Sequence, residues 1–445
     1  MANSSNSPRG STLALSLALI GAVSMFYYHQ RLFLPRVAAV RAAAGLSNRF
    51  SLGNDFYQVW LSSRTLLRER LDPYSSEMTR RIQISLYGRP LGARGSGDPL
   101  DLRIFPYPLY TDLLFWPLAA IPFLLARFIV LGALTTMTLA SVPLWLRVLE
   151  WKLDWKWIIV ISLLTLSSYP ALEGLFAAQL GLLVSFLLAA SIVALQVRRF
   201  LFAGFLAALT TMKPQVTVLA ILYLLLWATT QWPMRKRFVI GFFGALALLA
   251  GASLIVQPNW VHSWVRTVVA YRHYTHPPLV TEVLASQLGP RLSGPASLLL
   301  TAASIITALI MSWRNRTARF GSFAFFMTLS LLLVITTIVL LPGQAVYDHL
   351  ILLPGLLLMA RNRDHLRAAG WIPRVLLGLT ALVLFWPWLA ACGLITARPF
   401  IATSIFDSVS ILALPIRTAA SFPFALLAIL AWTWRLTPAQ NPATS

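Results

Sequence analysis

The chain has 445 residues, 58% hydrophobic and only 11% charged, with a formal net charge of +22. A soluble domain carries about 25% charged residues, so this composition excludes one, and apolar runs of roughly 17–25 residues imply a polytopic membrane protein. The basic excess is no nucleic-acid footprint, because it falls in short clusters between apolar runs, as membrane orientation requires.

The first apolar run, Leu13 to Tyr28, lacks a small-residue cleavage site and is followed by many more, so it is expected to stay as a span. Short basic clusters read as cytoplasmic: Arg147 with Lys152 and Lys156, Arg198-Arg199, Arg235-Lys236-Arg237, Arg314 with Arg316 and Arg319, and Arg361 with Arg363. Between them lie apolar segments near 11–28, 123–146, 157–173, 179–196, 201–213, 215–231, 238–256, 296–313, 320–341, 347–360, 374–394 and 409–435. The expectation is one integral membrane domain over 1–445, all-α, with about twelve spans and both termini cytoplasmic. Segments 29–111, 257–295 and 342–349 then fall outside the cytoplasm.

In the first loop, Gly53 to Trp60 begins an amphipathic helix, with Asn54 as its expected cap and Asp55 in its first turn. Asp55 reads either as an acid that stabilises a surface helix or as a carboxylate held at a cavity mouth. Phe56 and Trp60 share the apolar face by i,i+4 spacing, while Arg64 through Tyr74 continue and end the helix. Asp101, Arg103, Tyr107 and Asp112 form a second polar group, in which Asp101 rivals Asp55. Pro106, Pro108, Pro117 and Pro122 break the next stretch, so 109–122 is expected to be re-entrant or interfacial.

Farther on, Glu173 and Gln179 bracket an outer connection, Glu173 reading as a capped or solvated acid or as a substrate contact. Lys213-Pro214-Gln215 interrupts two apolar runs; Pro214 weakens the helix, and Lys213 either snorkels, pairs structurally or faces an anion. The 257–295 loop supplies His262, Arg266, Arg272, His273, His276 and Glu282 without a recognisable metal-ligand spacing. The single cysteine, Cys392, excludes a disulfide framework and a cysteine-based metal site. Arg266 and Arg272 suit phosphate or membrane-surface contacts, and Tyr271 and Tyr274 a sugar platform or an interfacial turn. Asp348 and His349 either pair at one helix start or join Asp55 and Lys213 in a shared cleft.

Several motifs in chain order resemble the polyprenyl-phosphate-dependent glycosyltransferases of the GT-C fold, nearest to glycosyltransferase family 87, which contains alpha-1,2-mannosyltransferases. They are Asp55-Phe56-Tyr57, Asp72-Pro73-Tyr74, Phe105-Pro106-Tyr107-Pro108 with Pro117-Leu118, Gln179-Leu180-Gly181, Lys213-Pro214-Gln215 and His349-Leu350. Where that family often shows Gly-Gln-x-Asn, this chain has Ala178-Gln179-Leu180-Gly181 and lacks the Asn. The resemblance implies an inverting transfer of a hexose, such as mannose, from a polyprenyl-phosphate sugar on the extracytoplasmic side of a bacterial cytoplasmic membrane. It makes Asp55 the general base and puts Lys213 and His349 near the donor phosphate, with Arg266 or Arg272 assisting. The expected substrate-binding set is completed by Asp348, His273, Gln179, Tyr57, Asp101 and Tyr107. No metal or other cofactor is expected, since protein cations neutralise the phosphate, and the partners are the lipid-linked donor, an acceptor and membrane lipids. The competing expectation is a transporter or flippase of a lipid-linked saccharide.

Overall fold

The computed structural model describes residues 8–47, 51–92, 95, 98–343, 345–402, 406 and 408–435. Its regular elements are helices; the one isolated extended contact among the described residues is an antiparallel bridge between Leu279 and Pro342. In chain order, α1 (Pro8–Tyr27) runs through a π-helical segment (Tyr28–Phe33) into α2 (Leu34–Ala43). Two amphipathic helices follow, α3 (Asn54–Glu69) and α4 (Ser76–Tyr87), then α5 (Tyr110–Ala119) and α6 (Phe123–Val148). Next come α7 (Trp155–Ser167), α8 (Tyr169–Ala177), α9 (Leu180–Gln196), α10 (Phe200–Leu209), α11 (Pro214–Thr229) and α12 (Trp232–Val256). The second loop region holds α13 (Trp260–Thr275) and α14 (Val280–Ser286). The chain continues with α15 (Pro290–Arg314), α16 (Phe323–Val339), α17 (Leu353–Arg361), α18 (Arg363–Ala368) and α19 (Trp371–Ala397), and a helix over Phe422–Arg435 closes it.

Among the described residues, five rods are long and apolar enough to cross a membrane: Gly10–Ala43, α6, α12, α15 and Trp371–Phe400. The α7–α8 pair, bent by 57°, makes a sixth crossing if counted as one span. Five further apolar helices of 10–17 residues among the described residues are α9, α10 with its last turn, α11, α16 and Phe422–Arg435. This departs from about twelve regular spans in three places. The first rod does not end at Tyr28; it runs to Ala43, and its π-helical segment ends two residues before Pro35, where a regular backbone bond is lost. The segment 347–360 is a 3-10 stretch, Val346–Leu352, followed by the nine-residue α17. The segment 409–435 breaks into single turns before Phe422–Arg435. Pro354, Pro415 and Pro423 each lie at the start of a new helix, where their missing N–H costs nothing.

The core is centred on α16, whose residues from Phe325 to Val339 are all buried. Around it pack α11, α15, α17 and Phe422–Arg435. The tightest contact between helices is α10 on α12. A Cβ on Gly204 would lie 2.1 Å from the Phe238 carbonyl oxygen, and one on Gly241 2.1 Å from that of Leu201. Small residues let two backbones touch in this way inside a membrane.

The amphipathic α3 lies against α5 and α6. Ser62 donates to the Asp112 carboxylate at 2.5 Å and Ser63 at 3.0 Å, so a buried acid on α5 fixes the helix that carries Asp55. On the apolar side, Tyr57 packs edge-on against Phe123 at 4.8 Å, and the Trp60 indole donates to the Ile121 carbonyl at 3.1 Å.

Candidate functional site

Three interruptions of apolar helices meet the start of α3. Between α8 and α9, Ala178 adopts a left-handed conformation (φ 52°) and Gln179 is extended. Between α10 and α11, a 3-10 turn over Thr210–Met212 ends at Lys213, and Pro214 opens the next helix. The third is the 3-10 stretch containing Tyr347, Asp348 and His349, which packs on both α8 and α9. Helix breaks of this kind persist in a membrane protein only where the freed polar groups find partners inside the protein. The amide of Gly53, the residue ahead of α3, donates to the Phe176 carbonyl at 2.7 Å and docks α3 onto the first break.

At their junction runs one chain of polar contacts. Arg103 pairs with one oxygen of Asp55, and the Gln179 amide nitrogen donates to the other. The Gln179 amide oxygen accepts from the Lys213 ammonium at 3.0 Å. Lys213 in turn donates to Asp348 Oδ1 at 2.7 Å and lies 4.7 Å from the centre of the Tyr347 ring. At the other end, Arg103 Nε meets Asp101 Oδ2 at 2.8 Å. Three carboxylates thus share two cations. Burial raises the Asp55 carboxyl above its ordinary range; Arg103 pulls it back most strongly, Asp101 pushes it up, and Lys213 lowers it further. Burial lowers the Arg103 guanidinium, but Asp101 and Asp55 more than offset this, so it stays charged.

Aromatic side chains border the cluster. Tyr107 is buried, and its phenol is raised first by desolvation and then by the charge of Asp55. Tyr271 of α13 is raised by burial, with Asp101 and Asp55 adding to it. Both therefore remain neutral hydroxyls beside the carboxylate. The motif residues hold this wall together: the Tyr74 hydroxyl donates to the Tyr107 carbonyl at 2.9 Å, and the Trp264 indole to that of Pro106 at 2.9 Å.

Several expectations change here. Asn54 does not cap α3. The cap position is Gly53, with φ 76°, while Asn54 is already helical and its Oδ1 has no partner among the described residues. Lys213 neither snorkels nor faces open space, because an ammonium taken out of water needs a counter-charge and finds Asp348. Asp348 and His349 do not orient each other: Asp348 turns to Lys213, and His349 to the backbone of Ala419, with its Nδ1 unpartnered among the described residues. Glu173 lies within α8 rather than in a loop, and stands 3.5 Å from the buried His29.

Arg266, Arg272 and His273 are not brought to the cluster. α13 buries Trp260, Ser263, Thr267 and Thr275 and leaves these three exposed, with Arg272 3.8 Å from Glu282. Among the described residues, no group of three or more His, Cys, Asp or Glu is placed to hold a metal ion.

Two residues carry more than their sequence context suggested. Arg103 is the cation on Asp55, and the Asp101-Leu102-Arg103 spacing at the end of a polar loop was its only signal. Gly181 makes room for the ion pair: a Cβ there would lie 2.0 Å from Asp348 Oδ1 and 3.5 Å from Lys213 Nζ. Gly181→Ala is therefore expected to push Asp348 off Lys213 and, through Gln179, misplace Asp55. Such a displacement costs about 10²-fold in turnover, read as the rate of sugar transfer by a variant whose thermal unfolding matches the wild type. An unchanged rate would show that the Lys213–Asp348 contact has no bearing on the reaction.

The glycosyltransferase family 87 model matches residues 105–342, which include Tyr107, Gln179, Lys213 and α13. Asp55, Asp101 and Arg103 precede the matched region, and Asp348 and His349 follow it, so the place of Asp55 beside Gln179 and of Asp348 beside Lys213 rests on the geometry above. No curated protein and no solved structure matches the chain. With more than half its length under the family model and a helical, membrane-type architecture, the chain belongs to glycosyltransferase family 87.

Proposed function

We propose that this glycosyltransferase moves a hexose, with mannose the first to test, from a polyprenyl-phosphate sugar to an acceptor hydroxyl, with inversion at the anomeric carbon. The acceptor O–H bond breaks and its proton passes to Asp55 as the acceptor oxygen attacks the anomeric carbon from the face opposite the phosphate. The bond from that carbon to the phosphate oxygen breaks, and its electron pair leaves with the phosphate. The prenyl tail stays in the membrane while the headgroup enters from the extracytoplasmic side, in this proposal of a bacterial cytoplasmic membrane.

The observation that carries this reading is the unbroken polar path from Asp55 through Gln179 to Lys213 and Asp348. Together with Arg103 on Asp55, it puts a partly buried carboxylate and two cations within one site, as proton removal at one end and phosphate departure at the other require. In this scheme Lys213 acts through its field and by fixing the Gln179 amide, since a carboxylate already holds its ammonium. His349 lies one residue beyond Asp348, and Tyr107 and Tyr271 offer neutral hydroxyls to the sugar. The proposed reaction draws its positive charge from protein side chains, without a metal or other cofactor.

The test is purified protein in lipid nanodiscs given polyprenyl-phosphate hexoses and candidate glycolipid acceptors, with products identified by mass and by the proton coupling at the anomeric centre. A glycosylated product of inverted configuration is expected. Translocation of donor across proteoliposomes with no such product would overturn the transferase reading in favour of transport.

A further inference from the structure

The two cations of the site are held differently. Lys213 is committed to Asp348, whose side chain is 1% exposed, and to Gln179. Arg103 stands at the more open end: its side chain and that of Asp55 are each 14% exposed, and its second partner, Asp101, is 34% exposed. Arg103 is also one of few non-glycine residues with a left-handed backbone, at φ 54°. A side-chain-bearing residue keeps that conformation only where its surroundings impose it. Here its own N–H bonds to Asp101 Oδ1 at 3.2 Å, Tyr87 donates to the Asp101 carbonyl at 2.6 Å, and Gln83 to that of Leu102 at 2.8 Å. The fold therefore spends several contacts on aiming one guanidinium at Asp55.

That aim has a cost for a base. Arg103 occupies one oxygen of Asp55 and Gln179 the other, so the carboxylate that must receive a proton is tied up on both sides. We infer that Arg103 is the ligand of the donor phosphate, held on Asp55 in the resting protein, so that an arriving polyprenyl-phosphate headgroup draws Arg103 away and frees the carboxylate for the acceptor. The inference rests on the transferase reading given above and adds an order of events to it.

The chemistry favours the exchange. A planar guanidinium grips two phosphate oxygens as readily as two carboxylate oxygens, and Asp101 stays with it through Nε, so it never becomes an isolated buried charge. The donor is a phosphodiester with one negative charge. When its bond to the sugar breaks, the departing phosphate monoester gains a second, so a guanidinium on it binds more tightly as the reaction advances. Losing its strongest cationic neighbour also leaves Asp55 more basic at the moment the acceptor proton must be taken. Before the donor arrives, the base stays neutralised.

Farnesyl phosphate, which carries phosphate and prenyl chain but no sugar to transfer, measures the exchange without turnover. Its affinity for the full-length protein in nanodiscs is compared among wild type, D55N, R103Q and the double variant. R103Q is expected to bind about tenfold more weakly. D55N is expected to bind more tightly than wild type, because the negative charge that competes for Arg103 is gone and the amide oxygen left holds it more weakly, and that gain is expected to vanish in the R103Q background. A gain of equal size in both backgrounds, or none in D55N, would overturn the inference. R103K keeps the charge without the fork and runs the same cycle should R103Q fail to fold, with a reduced gain expected. Additive binding together with a D55N variant that cannot transfer sinks this inference alone; normal transfer by D55N sinks the transferase scheme whatever the binding shows.

Discussion

Asp55→Asn is expected to lower sugar transfer by about 10²–10⁴-fold, the usual contribution of a positioned general base, while the protein stays folded. The new amide keeps an oxygen for Arg103 but places an NH2 against the Gln179 amide nitrogen, where the carboxylate accepted. Gln179 can answer only by turning its amide, which takes its oxygen away from Lys213. The substitution therefore removes the base and disturbs the path behind it. The pH profile separates these effects. Asp55 must be ionised to work and burial raises its pKa, so kcat/KM of the wild type should fall on acidification at a pH above the ordinary carboxylate range. The residual activity of D55N should lack that limb. The sign for stability runs the other way: with its folded pKa raised, Asp55 favours the fold most below its unfolded pKa, and that contribution is lost as pH rises through the folded value. Wild-type turnover in D55N, or an acid limb that survives the change, would remove Asp55 from the chemistry.

Lys213→Ala has the largest expected effect on the fold itself. It leaves the Asp348 carboxylate, 1% exposed, with no cation and with one oxygen already unpartnered among the described residues. Removing one member of a buried pair costs about 3–5 kcal/mol, against a net stability of about 5–15 kcal/mol for a folded domain. Low yield and a lowered Tm in detergent are expected for K213A. The double substitution Lys213→Met with Asp348→Leu removes both charges and should recover the Tm without recovering transfer, because the Gln179 amide oxygen then loses its donor and the amide is held only by Asp55. A K213A protein with wild-type Tm and kinetics would show that the ion pair is incidental.

Much of this site was legible from residues that a membrane should not tolerate. Lys213 before Pro214 marked a broken helix, Gln179 a second break, Asp348 a third, and all three lie on one polar path that reaches Asp55 through Gln179. The partners were less legible. Arg103 pairs with Asp55 across a long polar loop, and arginines in long loops carry no orientation signal, so composition gave no cause to single it out. Asp348 and His349 looked like a couple because they are adjacent. A 3-10 segment turns through about a third of a circle per residue, which sends neighbouring side chains in different directions. Asn54 looked like a cap because Asn often is one, but the left-handed Gly53 lets the helix begin one residue earlier. On α13, the buried series Ser263, Thr267 and Thr275, with half-buried Tyr271 between, runs at i,i+4. That spacing already places Arg266, Arg272 and His273 off the inward face.

The glycine contact between α10 and α12 bears on how the lipid donor proposed above would sit. Where Gly204 and Gly241 cross, the gap is narrower than a single methyl group, so no isoprene unit can thread that seam. Both helices are thereby clamped at their crossing, and α10 delivers Lys213 to the site from a fixed base. In the proposed reaction, the doorway for the donor's prenyl tail therefore opens elsewhere around the perimeter.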